Sequence, residues 1–419
     1  MAKAKHGPGY HNDGMQTRSR FRLVAPAGAP LPMRAIVRSA LRVSADKYSL
    51  AELVQKSLGM RHVFVASSGV AALTILLRVL QQRSGRQEVV IPAYTCYSVP
   101  AAVVRAGLAI RLCDVDPKTL DLDLNSLRHL NLNRVLCIIP SGLYGIPGDL
   151  TTLDEICQEY DTFLVDDAAQ SLGATVGSRP CGTFGAVGFC SLGRGKCVTA
   201  MGGGILFTQR EDLADMIRQE VGELPPVSAW TSCMLAIGTI IYAMMLRPSR
   251  YWILDRIPFL GLGASRFDPS FPMKQLSQYQ ERLAAQVFPL LDVYNRIRRE
   301  NAAWLRAEIE GIEGIEVPRP IEGAEPAYLR FPILARDERH RSHLLRRFLR
   351  AGIGASISYP TAIEDIPGIQ RYLADTQLRC PGARSIARRI ITLPTHPYVT
   401  RADVEKIGAL FNEKNADSC

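Results

Sequence analysis

Phe163 to Lys196, FLVDDAAQSLGATVGSRPCGTFGAVGFCSLGRGK, is the stretch around which the chain is organised. It opens on a short apolar run, Thr162 to Val165, that ends in two carboxylates, Asp166 and Asp167. It closes on a lone lysine, Lys196, in a glycine-flanked turn between two apolar runs. An apolar or β-branched run bounded by turn residues predicts a buried strand, and such strands present functional side chains at their carboxyl ends. An acid at one strand end and a lysine on a nearby loop suit a cofactor ring that needs an anion at one atom and an amine at another. Pyridoxal phosphate has both needs, an Asp for its pyridinium nitrogen and a Lys for its Schiff base. On these residues alone other readings stay open: Asp-Asp after a strand can also bind a metal or cap the next helix. A phosphate-loop reading of Lys196 fails on spacing. GxxxxGK[ST] needs a glycine six residues before the lysine and a hydroxyl after it, where this chain has Cys190 and Cys197.

Working outward, 419 residues are enough for a large core and two or three domains. A composition 47% hydrophobic and 21% charged is that of a globular chain. Ten cysteines without CxxC pairs or a CxxC…HxxxH pattern point to neither a zinc module nor a disulfide scaffold, so no metal site is expected and a reducing cytoplasm fits. Of the net charge of +10, a large part lies in residues 1–60, with ten Lys/Arg against three Asp/Glu. Residues 1–32, rich in Gly, Pro and polar residues and without a signal-type apolar core, are expected to form a flexible basic tail. No aromatic interleaving accompanies that charge, and nucleic acid is not expected as a partner.

The alternation begins near residue 50. Ser49 with Glu52 predicts a capping-box start for a helix that stops at Gly59. His62 to Ala66 predicts a strand running through Ser67-Ser68-Gly69-Val70 into a helix, a geometry that suits an anion and equally an ordinary strand–helix connection. Further strands are expected at 89–92, 109–113 and 134–140, with helices at 98–106 and 153–160. This spacing of strands and ten-residue helices predicts βαβ units and a mostly parallel sheet. One helical pattern is expected over 274–310, then a smaller α+β unit with strands at 328–334, 354–358 and 390–393.

Val227 to Leu246, VSAWTSCMLAIGTIIYAMML, carries no charge over twenty positions, long enough to span a bilayer. One span in mid-chain would divide the sheet across the membrane. An apolar helical hairpin over 227–264 meets both facts, either packed on the body or on a partner, or seated shallowly in a membrane face.

Six segments in order carry a resemblance: SSGVAAL (Ser67 to Leu73), IPAYTCYSV (Ile91 to Val99), GLYGIPGDL (Gly142 to Leu150), VDDAAQSLGA (Val165 to Ala174), CSLGRGK (Cys190 to Lys196) and TLPTHP (Thr392 to Pro397). Together they resemble the DegT/StrS-type sugar aminotransferases, pyridoxal-phosphate enzymes of fold type I, over about Ser49 to Phe411. The resemblance implies an α/β fold, with a large cofactor-binding domain at 33–273 (apolar insertion at 227–264) and a linking helix plus small domain at 274–419. It implies that Lys196 holds the cofactor and moves protons, that Asp167 pairs with the pyridinium nitrogen, and that Gln170 bonds the ring's phenolic oxygen. Ser191 and the turn Ser68, Gly69, Val70 and Ala71 take the phosphate. Cys96 stands where the family has the aromatic that stacks on the ring, so Cys96 or Tyr97 covers it; Val70 replaces a Thr; Asp166 replaces a Glu and plays a structural part. The substrates implied are an amino donor such as glutamate and a keto sugar nucleotide, and the assembly a homodimer. Two alternatives stand beside this reading: a membrane-associated aminotransferase at the inner face of the membrane acting on a lipid-linked or non-sugar carbonyl compound, and a non-catalytic cofactor-binding regulator.

Overall fold

The computed structural model describes residues 21–41, 49–256 and 266–412. α1 (Met33–Ala40) and α2 (Leu50–Leu58) precede β1 (His62–Ala66). Ser49 and Glu52 make the expected capping box at the start of α2, each side chain accepting from the other's backbone N–H. Then follow α3 (Gly69–Ser84), β2 (Glu88–Pro92), α4 (Ser98–Arg105), β3 (Ala109–Cys113), α5 (Leu124–Arg128), β4 (Val135–Ile138), α6 (Leu150–Glu159) and β5 (Phe163–Asp167). The short β6 (Thr175–Val176) and β7 (Arg179–Pro180) lead to β8 (Val187–Ser191), β9 (Gly204–Thr208) and α7 (Glu211–Gly222).

Seven strands form one sheet in the order β1-β9-β8-β5-β4-β2-β3. From β8 to β3 every neighbour is parallel, whereas β9 runs against both β8 and β1. Central strands such as β2 and β4 are buried at every residue, as expected of strands covered on both faces. One consequence positions the site. β1, β2, β4, β5 and β8 all end at the same edge, so Ser68, Cys96, Ser141, Asp167 and Ser191 gather there from distant parts of the chain.

The remaining elements are α8 (Ala229–Met245), α9 (Pro248–Asp255), α10 (Gln278–Val287), α11 (Leu291–Ile309), β10 (Ile315–Glu316), β11 (Ala324–Glu325), β12 (Arg330–Ala335), α12 (Glu338–Arg350), α13 (Pro381–Arg389), β13 (Ile390–Pro394) and α14 (Arg401–Asn412). β10, β12 and β13 form an antiparallel sheet with its own apolar core, which includes Leu305, Phe331, Phe348 and Ile407. α11 spans two cores: Leu291 and Tyr294 pack on the large sheet's side, Ala302, Leu305 and Ile309 on the small sheet's.

Three sequence expectations change. The helical pattern over 274–310 is two helices, divided at a 3₁₀ turn containing Pro289, which cannot donate into a continuous helix. The strand expected at 354–358 is replaced by an irregular segment. Ser358 adopts φ 55, and Gly354 donates to Val24 O at 2.9 Å and lies so close that a Cβ there would meet that oxygen at 2.3 Å. Val24 belongs to the third correction. Residues 1–20 of the expected tail lie outside the described residues, but Leu23, Val24, Ala25, Ala29 and Leu31 are buried, forming a strap across the body.

Candidate active site

Successive residues of a strand point to opposite faces, and the two aspartates of β5 have opposite surroundings. Asp166 Oδ2 accepts from the N–H groups of Gly182 (2.5 Å) and Phe184 (3.1 Å). Burial pushes its carboxyl up to about 7 while those two backbone donors pull it down. Its work is to hold the 182–184 turn, as the sequence leads one to expect. Asp167 Oδ1 accepts from Ala169 N–H at 2.9 Å. Burial pushes Asp167 up to about 6, against the downward pull of the Ala169 N–H, the Lys196 charge and the Ser141 hydroxyl. Asp167 ends β5, and Lys196 lies on the loop that follows the neighbouring parallel strand β8, so both stand at the same sheet edge.

Lys196 sits half-buried in the loop between β8 and β9. That loop is closed by Leu192 N–H to Gly203 O (2.8 Å) and Ala200 N–H to Leu192 O (3.0 Å), and turned by Gly195 at φ 76. Beneath it lies Arg298, 0% exposed. Its guanidinium donates to Asn295 Oδ1 (2.9 Å), Gly28 O (3.4 Å) and Lys196 O (3.4 Å). Among the described residues it makes no ion pair, its Nε has no partner, and burial lowers its pKa.

Across the sheet edge, Ser68 caps α3, its Oγ accepting from Ala71 N–H at 3.2 Å. Gly69 and Val70 occupy the first turn, where a helix has no internal acceptor for backbone N–H groups, and no acidic residue lies in that turn. A Cβ on Gly69 would stand 2.8 Å from Ser191 Cβ and 3.0 Å from its Oγ, so the turn and Ser191 form one cradle that only glycine permits. Ser191 Oγ also accepts from Gly193 N–H at 3.3 Å.

The expected ring-covering residues lie elsewhere on this edge. Cys96 is half-buried, with Ser98 Oγ 2.9 Å from its sulfur. Tyr97 is buried, with its hydroxyl 2.7 Å from Thr361 Oγ1. Gln170 accepts from Tyr144 N–H (3.1 Å) and donates to Tyr359 Oη (3.2 Å). Tyr94 Oη is 3.3 Å from Tyr144 Oη, and the Tyr359 ring lies 5.8 Å from Tyr94 and 5.9 Å from Tyr97. Burial keeps these phenols protonated, raising Tyr144 to about 12. The sequence points to Tyr94 and Tyr144 only within its IPAYTCYSV and GLYGIPGDL segments; Tyr359, Ser141 and Arg298 carry no periodic or spacing signal.

The model of the DegT/DnrJ/EryC1/StrS aminotransferase family matches residues 38–225 and 275–412. The chain is 26% identical over 359 residues to a UDP-N-acetyl-3-dehydro-α-D-glucosamine 3-aminotransferase of Acidithiobacillus ferrooxidans, covering 84% of each. It is 24% identical over 352 residues to a dTDP-4-dehydro-2,3,6-trideoxy-D-glucose 4-aminotransferase of Saccharopolyspora spinosa, again 84% of each. Among solved structures, a sugar aminotransferase from Micromonospora echinospora shares the fold at TM-score 0.74 and 23% identity, over 94% of this chain and 100% of that one.

Proposed function

The chain belongs to the DegT/DnrJ/EryC1/StrS aminotransferase family, and from that premise we propose that it moves an amino group from a donor such as glutamate to a keto sugar carried on a nucleotide, with Lys196 and Asp167 as its catalytic residues. Two relatives are named for aminating dehydro sugars on UDP and dTDP carriers, which supports this substrate class.

The residues present fit pyridoxal phosphate. Three requirements meet at one sheet edge: a buried carboxylate at the end of β5, an amine on the loop after the neighbouring β8, and a helix start without acidic residues for an anion. The placement of Asp167 at the end of β5 and of Lys196 on the loop after the adjacent β8 carries the reading. When bound, the cofactor supplies an aldehyde that takes up amines and a ring that withdraws electrons. Asp167 keeps the ring nitrogen protonated by holding a negative charge beside it. Ser191, with the N–H groups of the Ser68–Ala71 turn, holds the phosphate. Gln170 would bond the ring's phenolic oxygen, and Cys96 or Tyr97 would cover the ring. The Lys196 ε-amine would anchor the cofactor and, once released, would serve as the base and acid that takes and returns the proton at the substrate's Cα. A homodimer and a cytoplasmic setting complete the proposal; all nine described cysteines are free thiols, which supports the latter.

Borohydride treatment followed by peptide mass spectrometry tests the anchor: the cofactor is fixed to Lys196, and Lys196→Ala is unlabelled and loses at least ~10³-fold in turnover, as removal of a covalent catalyst does. A variant that stays labelled or active removes the proposal. Glutamate with UDP-, dTDP- and GDP-linked keto sugars tests the substrate class; absence of an aminated product from all three removes that part alone.

A further inference from the structure

We propose that the α8–α9 hairpin and the adjoining α1 form a docking surface for an anionic lipid membrane, lying in the plane of the headgroups. Trp230, Met234, Ile237, Ile241 and Met244 follow one another at helical spacing along α8, and each is exposed, from 42% at Met234 to 72% at Trp230. The opposite side, with Thr239 and Ala243, is buried against the body. α1 packs beside α8 and adds Met33, Val37 and Leu41, all exposed. Phe21, 70% exposed, stands edge-on against Trp252 of α9 at 5.8 Å. An exposed apolar face built from three helices exceeds the scattered single residues of an ordinary soluble surface.

Two observations choose a lipid surface over other occupants. First, no single helix among the described residues is long and apolar enough to cross a membrane, and α8 and α9 meet at a bend of 115°. Because the Thr239–Ala243 side of α8 is buried against the body, only the other face is free to meet lipid, which suits lying along a membrane rather than through it. Second, the rim is cationic: Arg34 and Arg38 on α1 and Arg247, Arg250 and Arg256 around α9, all exposed, against one carboxylate in these three helices, Asp255. A two-fold contact between copies would set this arginine rim against itself. An anionic leaflet complements it, since each arginine near such a surface is attracted to it. The hairpin also lies in 226–274, the gap in the family match, so the family's core does not require its apolar face.

Flotation of the full chain with vesicles tests the surface. The protein is expected to float with phosphatidylcholine–phosphatidylglycerol vesicles, less with phosphatidylcholine alone, and to be released by salt. The exposed pair Ile237→Glu/Ile241→Glu abolishes flotation while keeping the thermal midpoint and turnover. Arg34→Gln/Arg38→Gln lowers the partition coefficient about thirtyfold, the equivalent of ~1 kcal/mol per arginine. Trp230 emission shifts to the blue on mixing, and the shift is lost in Trp230→Phe. Failure to float with either vesicle, or flotation unchanged in the glutamate pair, overturns the proposal. So does a glutamate pair that halves the mass in light scattering with partition unchanged, since the face then joins two copies.

Discussion

His396, within TLPTHP, is 1% exposed, and its protonation is set by where it is buried. Its Nε2 is 2.8 Å from Ala25 O, and Tyr398 N–H donates to Nδ1 at 3.3 Å, which assigns the proton to Nε2. Burial, with Arg298 and Arg330 acting the same way, pushes its pKa down to about 4 against the upward pull of Ala25 O. Between the unfolded value near 6.5 and about 4, the unfolded chain binds a proton that the folded chain does not. The histidine's contribution is thus complete above ~6.5 and falls by ~3 kcal/mol as pH drops to 4. Asp166 and Asp167, raised from 3.8 to about 7 and 6, act oppositely: the folded state binds the extra protons, and stability declines as pH rises through that window. Urea unfolding at several pH values checks this, with His396→Asn expected to flatten the acid-side loss relative to the parent chain. The sequence made TLPTHP visible but not this burial, which comes from a strap far away in the chain. Asp167 and Lys196 were legible because each needs only a strand end or a turn nearby. Tyr359 was not, since a loop of the small unit brings it to Gln170.

At the scale of elements, the connection from β1 through Ser68 into α3 was readable as strand, polar turn and helix. What the sequence could not distinguish was an anion cradle from an ordinary connection. The close approach of β8 is what supports the cradle. Ser191 lies where a Cβ on Gly69 would go, and a Cβ on Gly204 would meet Ser68 O at 2.3 Å. Gly69→Ala is expected to displace Ser191 and cost ~1–3 kcal/mol of stability, as overpacking does. Cofactor affinity should fall about tenfold or more, equivalent to ~1.4 kcal/mol, because the turn and the serine no longer meet around one anion. Titration with pyridoxal phosphate, followed by absorbance, measures it; unchanged affinity would place the phosphate elsewhere. The division of 274–310 into α10 and α11 was signalled by Pro289, whereas the loss of the 354–358 strand was not, because its backbone is shared between the strap, through Gly354 and Val24, and β13, through Ser356 and Thr392.

The strap is where the whole molecule departs furthest from its sequence. Composition read residues 21–32 as tail, yet their backbone is bonded at several points: Leu23 N–H to Pro248 O (2.9 Å), Val24 N–H to Gly352 O (2.9 Å), Pro30 O to the Tyr294 hydroxyl (3.0 Å) and Ala29 to the Tyr242 hydroxyl. These partners belong to α9, the small unit, α11 and α8, so a low-complexity stretch ties four separate elements. Arg298 extends the tie to the lysine loop through the carbonyls of Gly28 and Lys196. A cation without a carboxylate is costly to bury, and replacing such a group with an apolar one of similar size is often neutral for stability. Stability alone therefore gives little reason for this arginine, whereas the position of the lysine backbone does. Arg298→Met is expected to change unfolding free energy by less than ~2 kcal/mol while lowering kcat at least tenfold, with KM for the donor little altered. Arg298→Lys should recover only part of the rate, because an ammonium lacks the planar fork that reaches Asn295, Gly28 and Lys196 together. Equal losses of stability and rate would mean that the arginine serves the core alone; a rate loss with stability intact would mean that strap, α11 and Lys196 act as one positioning unit.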